Sequence, residues 1–336
     1  NIMSQNFSNK MRWVNFICAI FIALLHLSVP FTNNGQWIIR YYQQLSVSAM
    51  AFFFFSSAYF HYRNYKQEDY RKKIKKRVLT LLVPYVIWNL IDYVICVLAG
   101  YVDFSFTGLV KMFIFIYVPG VDYVHEPMLG VLWFIIRLLT YEVAAPVFLF
   151  IIKKKYIFYP SMVAIIVLVY ITDINYYAFI YWLPVYLAGA FLAYHYREKI
   201  EDLLAGQSEK KYIYAYLKTI LAIMIYVIYT FVMWKFQINY TVERYLSIPI
   251  ILICIYFMNC YPKVTWIIKH GSFFLYCSHV PLRMALTTVL LSIEPKVGAV
   301  LFPQVYMFGI IIIAFCIEWA LYKLCPKFLA VLTGNR

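Results

Sequence analysis

Residues 13–31 read WVNFICAIFIALLHLSVPF, a stretch whose one ionisable side chain is His26. As a helix it would extend about 28 Å, close to the thickness of a bilayer's hydrocarbon core. The stretch therefore reads as a membrane span. Nine more segments read the same way: 45–62, 78–99, 129–152, 156–172, 176–196, 213–234, 244–261, 272–292 and 298–322. Apolar residues make up 64% of the 336-residue chain and charged residues only 13%, with a mean hydropathy of +0.72. A soluble domain is about half apolar and about a quarter charged, so that class is excluded. The expected fold is all-α: a polytopic integral membrane protein of about ten transmembrane helices, one transmembrane domain over 1–336 with no appended soluble domain. Segment 105–120 is apolar but short and interrupted by Lys111, which suggests an interfacial or re-entrant piece.

Thirty Lys and Arg against 15 Asp and Glu give a net charge of +15. With ten spans, the loops fall into two alternating groups. One group, including RNYKQEDYRKKIKKR at 63–77 and KKK at 153–155, holds 23 of the 30 basic residues; the other holds five, and Arg137 and Arg283 lie within spans. This is a strong positive-inside bias, and it places both termini in the cytoplasm. The charge is then topological, with affinity for anionic membrane lipids. No soluble basic face exists for nucleic acid. The first span is not a cleavable signal, because it carries His26 and is followed by further spans. The seven cysteines are scattered, without CxxC or Cys/His pairing.

Ionisable groups inside a bilayer are costly and ask for a reason. His26, Asp92, Arg137, Glu142, His279, Arg283 and Glu318 qualify. His26 lies about 20 Å into its helix, and at 100° per residue Asn15 and Arg12 fall on nearly the same azimuth. One stripe thus carries a cation at the cytoplasmic mouth, an amide above it and an imidazole deep inside. Imidazole can take and return a proton near neutral pH. A histidine that only hydrogen-bonds a neighbouring helix is the plain alternative. Trp133 and Arg137 are i,i+4 neighbours suited to a cation–π contact. His279 and Arg283 are also i,i+4, so His279 is expected to be neutral. Glu318 is the expected partner of one of the two arginines. Lys73, Lys76 and Arg77 end a basic run that reads either as a topogenic cluster or as a phosphate clamp. Asp122, His125 and Glu126 share a loop without ligand spacing, and no metal is expected. No GxSxG, Walker loop, HExxH or dinucleotide fingerprint occurs.

Six segments, in order, resemble the bacterial membrane acyltransferase-3 family, which O-acylates surface polysaccharides, peptidoglycan and related acceptors. They are MRWVNFICAIFIALLH (11–26), AFFFFSSAYFHYRNY (51–65), KKRVLTLLVPYVIWNL (75–90), VLWFIIRLL (131–139), SFFLYCSHVPL (272–282) and PKFLAVLTGNR (326–336). Three positions depart from the family pattern. Asn15 stands where an Arg precedes the His by eleven residues, Thr80 replaces the second basic residue of the Arg-x-x-Arg element, and Ala58 replaces a Gly.

The resemblance implies an acyl-CoA donor, expected to be acetyl-CoA, bound from the cytosol by Lys73, Lys76 and Arg77. It implies a carbohydrate acceptor and catalysis by His26, as general base or through an acyl-imidazole. Arg12, Asn15, Ser57, Trp133, Arg137, Glu142 and His279 would support the pocket. The implied location is the bacterial cytoplasmic (inner) membrane, and a homodimer is compatible with it. A transporter or exporter of a glycan or glycan precursor is the alternative, since ten spans and buried charges suit it too.

Overall fold

The computed structural model describes residues 5–28, 30–31, 37–118, 123–206, 212–292, 298 and 300–334. Helix α1 runs Gln5–Ser28, α2 Trp37–Tyr62, α3 Tyr70–Arg77, α4 Val83–Leu98, α5 Phe106–Lys111, α6 Trp133–Val143 and α7 Ala145–Lys153. Then come α8 Lys155–Ile171, α9 Leu183–His195, α10 Arg197–Ala205, α11 Tyr212–Lys235, α12 Tyr240–Phe257, α13 Trp266–Leu291, α14 Phe302–Leu324 and α15 Pro326–Leu332. Each of the ten expected spans contains one of these helices. Five helical stretches are both long and apolar enough to cross a bilayer: Gln5–Ser28, Tyr70–Leu98, Tyr212–Lys235, Tyr240–Phe257 and Phe302–Leu324. The bent pair α6–α7 makes a sixth. α2 and α13 have 26 residues each, but polar side chains interrupt their apolar runs.

Prolines set the irregularities. Pro84 has no N–H to give Thr80, four residues back, and Val78–Leu82 widens into a π-turn that joins α3 to α4. The break that Pro84 would otherwise impose is thus absorbed within one 29-residue helical stretch. The same site receives the end of the chain. Gly334 adopts φ +64°, and a Cβ there would lie 2.2 Å from Thr80 O. Trp88 Nε1 donates to Leu332 O at 3.0 Å, which seats α15 on α4. Pro146 acts more strongly. Its ring opposes the carbonyl of Glu142, and α6 and α7 diverge by 63°.

Two stretches differ from the sequence expectation. The span expected at 176–196 becomes helical only at Leu183, since 172–182 is a series of turns. Within 105–120, read from the sequence as an interfacial or re-entrant piece, the described residues form a short helix and a strand. Ser105 caps the short α5 by accepting from Gly108 N at 3.0 Å. Strand β1 (Ile116–Val118) then pairs antiparallel with β2 (Tyr123–His125), with Ile116 opposite His125. This short ribbon is the one departure from an all-α fold among the described residues.

α2 is the central helix, packed on α9, α1 and α12, while α1 also packs along α13. Gly189 permits the α2–α9 contact, because a Cβ there would lie 2.3 Å from Phe55 O, a backbone atom that cannot swing aside. Gly189→Ala should therefore push α9 off α2 and cost about 1–3 kcal/mol, the usual range for an overpacked core. A thermal midpoint in detergent equal to that of the wild type would refute this.

Candidate active site

α1, α2, α6 and α13 enclose two cavities, stacked along their length. The upper, of about 930 Å³, is lined by His26 together with Asp92, Trp133, Arg244 and Arg283. The lower, of about 370 Å³, is lined by Arg12, Asn15, Ser57, Arg77, Lys269 and His270. The α1 stripe read from the sequence does face the interior, but its two ends open into different cavities.

Three rings form the layer between them. Phe53, Phe134 and Tyr276 stand with centroids 6.1, 6.4 and 6.0 Å apart pairwise, and all three line the lower cavity. One turn away on the same helices, Met50, Val131 and Val280 line the upper cavity. The Tyr276 hydroxyl donates to Val131 O, which ties the septum to the start of α6. Aromatic residues serve here because flat rings at this spacing pack edge to face and fill a bundle axis.

His26 is held through its backbone, where its carbonyl accepts from Arg283 Nη1 at 2.9 Å. Its imidazole makes no hydrogen bond among the described residues. The His279 ring lies 5.4 Å from it, fully buried, with Nδ1 3.0 Å from Leu275 O. His279 lines neither cavity and so backs His26. Asp92, also buried, faces the upper cavity with one carboxylate oxygen unpartnered.

Several expectations need correction. The Arg137 guanidinium does not lie over Trp133. It sits between the Phe115 and Phe179 rings, 5.5 and 5.7 Å from their centroids, and donates to Tyr177 O. Its role there is to hold the turns before α9, and it lines neither cavity. Glu318 pairs with neither Arg137 nor Arg283. It is buried against Gly271, and both of its carboxylate oxygens lack a hydrogen-bond partner. Glu142 is also away from the cavities, fully buried where the α6–α7 bend turns it inward. Arg77 Nε reaches it at 3.0 Å, and His61 Nδ1 stands 3.7 Å away.

The basic run divides. Arg77 lines the lower cavity, whereas Lys73 donates to the carbonyls of His61 and Asn64, both at 3.2 Å. Lys76 is exposed and lines neither cavity. Lys269 completes the cationic lining beside Arg12 and Arg77, and His270 lines the cavity next to it. Sequence reading missed them because residues at the end of a basic loop look topogenic. Of the loop cluster, Asp122 lies outside the described residues. His125 Nδ1 is 2.9 Å from Ile114 O, and Glu126 accepts from the Tyr177 hydroxyl at the rim of the upper cavity. Burial pushes the Glu126 carboxyl above its usual range. Among the described residues no three His, Cys, Asp or Glu side chains converge as a metal site.

Residues 9–323 match the acyltransferase-3 family model, described as an acyltransferase domain. No curated protein and no solved structure matches the chain.

Proposed function

This chain belongs to the acyltransferase-3 family, and on that premise we propose that it carries an acyl group from a cytosolic thioester to a hydroxyl presented from the opposite side of the membrane. The donor in this reading is acetyl-CoA and the acceptor a surface or lipid-linked glycan. The proposed topology is ten crossings with both ends cytoplasmic, formed by α1, α2, α3–α4, α6–α7, α8, α9, α11, α12, α13 and α14. The basic loops then face the cytosol, and the lower cavity opens toward it. The family match gives no support to the transport alternative.

The observation that carries the proposal is the position of His26, in the upper chamber but one aromatic layer from a lower chamber ringed by cations. The donor's phosphates would engage Arg77 with Arg12 and Lys269. Lys73, committed to two carbonyls, is a weaker candidate than the sequence implied. The acyl thioester would pass the Phe53–Phe134–Tyr276 septum and meet the acceptor beside His26. As general base, His26 takes the acceptor's O–H proton while its oxygen attacks the thioester carbonyl. The C–S bond breaks, and the proton passes to the departing thiolate, leaving an ester and free CoA. Purified protein given labelled acetyl-CoA and an acceptor glycan should release CoA and label the glycan. Failure to bind or consume the thioester would overturn the proposal.

The septum has a predicted role of its own: it keeps water in the upper chamber from the waiting thioester. Phe134→Leu keeps an apolar side chain but opens the layer. CoA release without acceptor should rise several-fold while acceptor-dependent transfer persists. An unchanged background rate would reduce the layer to ordinary packing.

A further inference from the structure

The upper chamber carries a second group of residues that the transfer step does not use. Trp133, Tyr176, Tyr177 and Trp182 form an aromatic wall, with Trp133 5.8, 5.3 and 6.2 Å from the other three centroids. The Arg244 guanidinium lies on this wall, 5.5 Å from the Tyr176 ring and 5.4 Å from the Trp182 ring. Tyr181 and Tyr240 flank it at 5.5 and 5.9 Å. Its Nη1 donates to the Tyr181 hydroxyl at 2.7 Å, which fixes the plane of the fork and leaves further N–H groups to give.

The carboxylates near it form no ion pair with it among the described residues, although Glu243 Oε2 is without a hydrogen-bond partner there. Glu243, its chain neighbour, is fully buried and accepts from Gln44 Nε2 at 2.5 Å. Glu126 accepts from Tyr177. Arg40 and Arg283 line the same chamber, and among the described residues none of the three arginines forms an ion pair. A guanidinium preset by ring stacking, with no ion-paired carboxylate among the described residues, can receive a planar or tetrahedral oxyanion. The adjoining flat rings suit the C–H face of a pyranose.

We propose that this wall selects an acidic sugar: its ring packs on Tyr176 beside Trp133, and its carboxylate or phosphate is held by Arg244, with Arg40 assisting. The inference rests on the upper chamber being the acceptor's side, and it names the acceptor class as an anionic glycan.

The test compares binding of three probes to the purified full-length protein by calorimetry. These are a tetragalacturonate, the neutral galactose tetramer of the same linkage, and galactose 6-phosphate. Tetragalacturonate should bind at least tenfold more tightly than its neutral counterpart, with an affinity that falls as salt rises. A preference for the phosphorylated sugar instead would keep the oxyanion site and identify phosphate as its ligand. Arg244→Gln should abolish the preference. Arg244→Lys, which keeps the charge but not the planar fork, should retain part of it. Equal binding of the acidic and neutral tetramers by the wild type would overturn the proposal, as would a preference that survives Arg244→Gln. Acyl transfer is scored in the same panel. Equal acylation of both tetramers would leave the transferase reading standing and remove only the selection. Absence of any transfer would count against the transferase reading, while the binding comparison would still decide the anion site.

Discussion

His26→Ala is expected to lower acyl transfer by a factor of about 10²–10⁴, the usual contribution of a positioned general base. The fold should survive the change. The interaction that fixes this part of α1 is the Arg283 bond to the His26 carbonyl, which alanine retains. The imidazole itself faces a cavity and makes no hydrogen bond among the described residues, so its removal orphans no partner. Donor binding should also be unchanged, because the cations of the lower cavity lie beyond the ring septum. The expected signature is therefore a fall in turnover with unaltered affinity for acetyl-CoA, read by CoA release and by calorimetry. Turnover near that of the wild type would remove His26 from the chemistry. If a labelled donor pulse leaves acyl label on the wild-type protein and none on His26→Ala, the path runs through an acyl-imidazole. No label on either leaves direct transfer.

Arg77→Ala should have the largest effect on stability. Glu142 is fully buried, and Arg77 Nε is 3.0 Å from its carboxylate. Removing the ion-pair partner of a buried carboxylate takes away its main charge compensation and costs about 3–5 kcal/mol. His61, at 3.7 Å, is a poor substitute unless protonated. The single variant should show a sharply lower thermal midpoint in detergent and a low yield. Adding Glu142→Gln, which removes the undercompensated charge, should recover much of that loss. Donor affinity should behave differently. Arg77 lines the lower cavity, so the double variant, although folded again, should still bind acetyl-CoA weakly. Recovery of both properties would make Arg77 purely structural. Recovery of neither would mean that the pair does not hold the α6–α7 bend.

Much of the architecture was legible in the residues. The apolar runs located the helices, because a segment without water must satisfy its backbone internally. Pro146 is a signal visible in the sequence, and it explains both the bend and why Glu142 points inward. Helical spacing worked for Arg12, Asn15 and His26, which do share the inward face of α1. It failed for Trp133 and Arg137. An i,i+4 spacing says that two side chains are close enough to meet, but Phe115, Phe179 and the Tyr177 carbonyl, from distant segments, offered the guanidinium a better site. Glu318 failed for the same reason, since its setting depends on where α13 brings Gly271.

The amino-acid sequence alone determined that this protein lives in a membrane, that it is helical, and that a histidine is carried deep within its first span. Those properties follow from hydropathy and chain geometry, which are local. Only the tertiary structure decided that His26 and the Arg12–Arg77 group belong to separate chambers, that three rings divide them, and that Arg244 lies on an aromatic wall without an ion-paired carboxylate among the described residues. Each of those facts depends on which faces of helices distant in the chain come together, and a side chain's partner in a bundle is set by that packing rather than by its neighbours in sequence.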